Sequence, residues 1–279
     1  MKKTIWSGLC FFSGMFALLA LTGCHSGKTA QDYIVSQNLT VETVADTIIF
    51  TSVVLDSTSV SEYEIGAESD SPTDGPQSLT DSVRQFIIRE LYSMFDWGDV
   101  EYEAHIPFEK VCEWKGDNIV SVFLDNYSPL LEKEIMGNGA DYLSLKLVAQ
   151  TETFITYYGE HITCGAGCHP EYCYYTFRKQ DGALLKEIAS EQMLKEISTQ
   201  QNLKAFLKKF PQYKEREEII DATMTYMGLN VEGLKCHYLV ISDWPDYYDP
   251  DEGWHEITIP YSEIKPYLSK QVQELILDN

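Results

Sequence analysis

Between Tyr142 and Gln150 apolar and polar side chains alternate, with Leu143, Leu145, Leu147 and Ala149 on one side and Ser144, Lys146 and Gln150 on the other. That is the period of a strand with two different faces. Thr153 to Ile162 and Glu171 to Lys179 continue in β-branched and aromatic residues, and Gln180-Asp181-Gly182 is a hairpin-turn signal leading to Leu184 and Leu185. These runs predict an antiparallel sheet at the centre of the chain.

Upstream, Leu39 to Asp56 is strand-like, with Ala45-Asp46 as a turn, and another strand is predicted around Tyr63 and Ile65. Ser69 to Gln77 is turn chemistry, with two prolines and a glycine. Ser78 then reads as a helix N-cap with Asp81 three positions on, followed by Leu79, Val83, Phe86, Ile87, Leu91, Met94 and Phe95 at helical spacing. This helix is expected to end near Asp96-Trp97-Gly98. Phe108 to Trp114 and Pro129 to Met136 are further helix candidates, with an apolar patch from Ile119 to Leu124 between them.

Downstream, Ser190 is expected to cap a helix through Ile197, and Thr199 another through Phe210, which Pro211 ends. Lys204, Lys208, Lys209, Lys214 and Arg216 make this a basic stretch, read as a solvated face. Leu234 to Ser242 and His255 to Tyr261 are predicted strands, and Ser269 to Leu277 a closing helix. The fold class is α+β: antiparallel β-sheets with packed helices, in an N-terminal subdomain at 38–138 and a C-terminal subdomain at 139–279.

The start of the chain breaks this pattern. Lys2 and Lys3 precede an apolar run from Ile5 to Ala20, and Leu21-Thr22-Gly23-Cys24 resembles a bacterial lipobox. The resemblance implies a signal peptide at 1–23, lipid attachment at Cys24 and a tether at 24–37. The body is then expected in the cell envelope, outside the cytoplasm and held to a membrane by lipid, on the periplasmic side or at the cell surface. The full chain has 21 Lys and Arg against 43 Asp and Glu, a formal charge of −22. Loss of Lys2 and Lys3 takes the charge to about −24. Such a balance disfavours nucleic acid and favours a cationic partner by long-range steering.

That compartment governs how the cysteines are read. With Cys10 in the leader and Cys24 lipidated, Cys112, Cys164, Cys168, Cys173 and Cys236 remain, an odd number in an oxidising setting. The stretch from Tyr157 to Phe177 holds three of them. One reading is a bridge between two of Cys164, Cys168 and Cys173, the third pairing with Cys112 or Cys236. A second is a metal site of His161, Cys164, Cys168, His169 and Cys173, whose spacing matches no common closed zinc pattern. A third is haem attachment at Cys164 to His169, one residue too long. A fourth is a nucleophilic or redox thiol with His169 as base. No cofactor and no catalytic residue is expected. A second candidate site is the acidic and aromatic loop of Trp244, Asp246, Tyr247, Tyr248, Asp249, Asp251, Glu252 and Trp254, suited to a basic protein or to stacking on sugars. It lacks the register of an EF-hand.

Several segments resemble one family. Residues 72–83 look like the entry into the long helix of a class of Bacteroides-type lipoproteins. Tyr157-Tyr158-Gly159-Glu160-His161 and Tyr174-Tyr175-Thr176-Phe177 resemble its core hairpin, and residues 257–261 and 264–268 its closing segment. The same extracellular domain of unknown function occurs in the lysozyme-sensing anti-sigma factor of Gram-positive bacteria and beside some peptidoglycan deacetylase domains. The resemblance implies a long-helix α+β part followed by a mixed part around the hairpin, no catalytic residues, and a partner that is a cationic protein such as a lysozyme, or cell-wall glycan. The alternatives are an envelope enzyme acting on peptidoglycan and a zinc-binding lipoprotein.

Overall fold

Residues 73–76 separate the first strands from the first helix, and Gly75 adopts φ 105°, a left-handed conformation that glycine reaches without strain. In this computed structural model the described residues are 42–43, 50–60, 63–94, 106–115, 118–131, 139–165, 168–210, 221–241 and 253–276. The elements run β1 (Glu42–Thr43), β2 (Phe50–Val60), β3 (Tyr63–Pro72), α1 (Gln77–Ser93), α2 (Phe108–Val111), α3 (Ile119–Leu131), β4 (Gly139–Gln150), β5 (Phe154–Cys164) and β6 (Cys168–Arg178). Then come α4 (Glu191–Glu196), α5 (Gln200–Leu207), β7 (Asp221–Leu229), β8 (Gly233–Ile241), β9 (Gly253–Pro260), α6 (Tyr261–Ile264), a 3-10 turn (Lys265–Tyr267) and α7 (Lys270–Leu275). The protein is α+β, with one six-stranded and one three-stranded sheet. Among the described residues no helix is long and apolar enough to cross a membrane.

The larger sheet has the order β2-β3-β4-β5-β6, with β1 pairing the far end of β4. It is not purely antiparallel. β3 and β1 both run parallel to β4, because the helices between β3 and β4 form a crossover rather than a hairpin. The alternation read at 142–150 holds as far as Leu147; a register shift between Leu147 and Ala149 then places Ala149 opposite Thr156, on the face away from the leucines, and Gln150 opposite Ile155, and both Ser144 and Gln150 are buried. Leu143, Leu145 and Leu147 face α1 and α3 together with Ile155, Tyr157 and Phe177, and Phe86 of α1 meets the rings of Tyr175 and Phe177 at 4.5 and 5.2 Å.

Helix ends differ from expectation at two places. Pro76, not Ser78, precedes α1, and its carbonyl accepts from the Leu79 and Thr80 amides, so Ser78 lies inside the first turn. The patch at Ile119 is itself α3 and runs to Leu131, whereas 132–138 lies outside the described residues. Ser190 and Ser269 do cap their helices, accepting from the Met193 and Val272 amides. The strand β7 has no counterpart among the predicted elements.

A second core lies between the smaller sheet and α4 to α7, built from Met193, Leu203, Phe206, Leu229, Leu234, Cys236, Ile259, Ile264 and Val272. Ala149 and Phe154, at the turn between β4 and β5, reach into it from the larger sheet. The sheets also meet at Tyr174: a Cβ on Gly228 of β7 would lie 2.4 Å from the Tyr174 Cγ, so this approach requires glycine.

Asp70 extends the β3–β4 ladder beyond its last pair, Ser69 with Leu145. Its Oδ2 accepts from the Leu147 amide at 2.8 Å, and its carbonyl accepts from the Tyr157 hydroxyl at 2.9 Å. Removing the carboxylate strands a buried amide. Asp70→Ala is expected to lower stability by about 1–3 kcal/mol, read as a shift of the urea midpoint at unchanged slope.

Candidate functional site on the central hairpin

Register divides the residues of β5 and β6 between two faces. Because Leu143 pairs with His161, and His161 with Glu171, the residues Asp141, His161, His169, Glu171, Cys173 and Tyr175 share the face covered by α1. On the other face, Glu68, Ser144, Glu160 and Tyr172 form one row across β3, β4, β5 and β6. Lys146, Tyr158 and Tyr174 form the next row, and Ala140, Cys164 and Cys168 lie at the tip.

On the helix-covered face the Tyr175 hydroxyl donates to Glu90 Oε2 at 2.8 Å. Burial raises the Glu90 carboxyl above its usual range, against the lowering effect of that bond and of the nearby Arg89 and His161. His161 Nε2 lies 3.7 Å from the buried Asp141 carboxylate. The sequence reading missed both carboxylates, since Glu90 belongs to a helix stripe and Asp141 precedes the alternating run.

On the opposite face Glu68 accepts from the Ser144 hydroxyl at 2.7 Å and pairs with Lys146 at 2.9 Å. Glu160, next in the row, has no ion pair among the described residues. Burial and the neighbouring Glu68 charge push its carboxyl up to about 7, against the lowering effect of a hydrogen bond from Tyr172. The Tyr172 ring stacks on Tyr158 at 5.9 Å, and Tyr158 meets Tyr174 at 5.2 Å. A tyrosine ladder therefore runs from Glu160 to the seat on Gly228.

At the tip Cys164 and Cys168 form a disulfide. It closes five residues and packs against Ala140, Tyr142 and Ile162, a constraint of about 2 kcal/mol in the chain-entropy picture. Cys173, half-buried on the other face, lies outside this bridge, as do Cys112 and Cys236. The five residues of the metal reading are thus split: Cys164 and Cys168 are bonded to each other on one face, while His161, His169 and Cys173 lie on the other. Among the described residues no group of three or more His, Cys, Asp or Glu could hold a metal ion. Burial pushes the Cys112 thiol up and the fully buried Cys236 further, which opposes thiolate chemistry at both.

Cys24 lies outside the described residues, as do Trp244, Asp246, Tyr247, Tyr248, Asp249, Asp251 and Glu252 of the acidic loop. Trp254 is in β9, opposite Leu239.

The pairing of a mixed six-stranded sheet with a separate antiparallel three-stranded sheet defines the class of fold. It is similar to the crystal structure of a DUF3298 family member from Bacteroides fragilis NCTC 9343, at TM-score 0.51 and 14% identity, over 83% of this chain and 98% of that one. A DUF3298 family protein from Pseudomonas aeruginosa PAO1 superposes at TM-score 0.49 and 12% identity, over 81% and 97%. No family model and no curated protein matches the sequence. The likeness is one of fold.

The raised Glu160 carboxyl sets a sign for stability against pH. In the unfolded chain it ionises near the usual carboxyl value of 4.5, so between there and about 7 the folded state holds the extra proton and stability falls as pH rises. Glu160→Gln is expected to remove this slope and leave the protein about 1–2 kcal/mol more stable than the native chain at pH 8, the partial exposure of the group having been allowed for. Urea unfolding of both proteins from pH 4.5 to 8 checks it.

Proposed function

We propose that the chain is a lipid-anchored envelope protein whose α+β body is a non-catalytic binding domain for a cationic protein, lysozyme-like in charge, or for cell-wall glycan. The lipobox at Leu21 to Cys24 supports the anchor. The observation that carries the choice of partner is charge: 43 acidic side chains face 21 basic ones. Among the described residues Lys146, Arg178, Lys209 and Lys235 are each already paired with a carboxylate. A net negative field of this size steers a basic protein toward the surface and strengthens at low ionic strength. The family resemblance points to the same partner class.

The test is capture of a lysozyme by the full chain, held in detergent micelles, at low and high salt. The expected result is retention at low salt that weakens by about tenfold or more as salt approaches ~0.5 M. No retention, or retention that salt leaves unchanged, removes the electrostatic basis of this reading.

A further inference from the structure

The row of Glu68, Ser144, Glu160 and Tyr172 is joined to the contact between the two sheets. Tyr172 bonds to Glu160 and stacks on Tyr158, Tyr158 meets Tyr174, and Tyr174 lies against Gly228 of β7 with no room for a side chain there. Burial and the neighbouring Glu256, Tyr158 and Cys236 groups raise the Tyr174 phenol far above its usual range, so it stays neutral at this seat.

We propose that the proton on Glu160 controls how firmly the smaller sheet is seated on the larger one: the neutral carboxyl lets the tyrosine ladder pack against Gly228, and ionisation loosens that seat. The groups facing Glu160 make this a local event. From β3 comes Glu68, bonded to Ser144 and Lys146 of β4. From β6 comes the Tyr172 hydroxyl, which bonds to Glu160. On the smaller sheet Lys235 and Glu256 are paired with each other at 2.8 Å. Asp141, His161 and Glu90 lie on or against the opposite face. When Glu160 loses its proton, a new negative charge appears in a half-buried row beside Glu68. It recruits water and draws in the Tyr172 hydroxyl. Tyr172 is the ring that supports Tyr158, so the strain passes along the ladder to Tyr174. Glu160 titrates at about 7, which places the change near neutrality. The device holds whether or not the acidic surface binds a cationic partner.

The test is hydrogen exchange on the full chain between pH 6 and 8, corrected for intrinsic rates and followed at the β7 amides of Gly228 and Leu229, with α1 amides as the internal control. Protection at Gly228 and Leu229 is expected to fall by about tenfold across this range while α1 holds. Glu160→Gln should remove the change. Glu68→Gln, which deletes the repelling charge, should lower its midpoint, and Tyr172→Phe, which keeps the ring but deletes the donor, should raise it. Should Glu160→Gln fail to fold, the opposed shifts of the other two variants decide the matter. Protection that is flat with pH in the native chain, a change that persists in Glu160→Gln, or midpoints that Glu68→Gln and Tyr172→Phe leave in place would each overturn the proposal.

Discussion

The hairpin of β5 and β6 serves two neighbours at once, and the strict alternation of side chains along a strand is the constraint that makes this workable. One face gives Ile155, Tyr157 and Phe177 to the core under α1 and α3. The other carries Tyr158, Tyr172 and Tyr174 toward the smaller sheet. A slip of one residue would exchange the two sets, placing Glu160 under the helix and Tyr157 in the seam. Asp70 helps to hold the register at the far end by bonding β4 through its carboxylate and Tyr157 through its carbonyl. The disulfide holds it at the tip.

This division also explains the chemistry. Two carboxyls that burial raises, Glu90 and Glu160, sit on opposite faces of the same strand pair, and each accepts a hydrogen bond from a tyrosine of β6. Glu90 belongs to the helix-covered core, where the Tyr175 hydroxyl satisfies it. Glu160 belongs to the row joined to the seam, where charge has somewhere to act.

Local signals made much of the fold legible from the sequence. The period at Leu143, Leu145 and Leu147, the stripe of α1 and the caps Ser190 and Ser269 all depend on residues a few positions apart. The parallel pairing of β3 with β4 depends on residues more than seventy apart, and no local pattern specifies it. α3 was obscured because Ile119 to Leu124 is apolar on nearly every side and Pro129 falls within it, so periodicity had no polar face to contrast with. For the site, the crowded stretch from Tyr157 to Phe177 stood out on composition. Which residues met did not: Glu68 and Glu160 share a row only once the register of three strands is known, and the separation of Cys173 from Cys164 and Cys168 follows from parity along β6.

The central claim is that one hairpin joins two cores through opposite faces, with Tyr174 on Gly228 as a joint between the sheets. Residue-resolved hydrogen exchange of Tyr174→Ala tests it most directly, because the substitution removes the joint without touching the ladder hydrogen bonds of β5 and β6. The account predicts that protection in β7 and β8 falls while α1 and the buried amides of β4 keep theirs. Equal loss in both sheets, or no loss in β7, would contradict it.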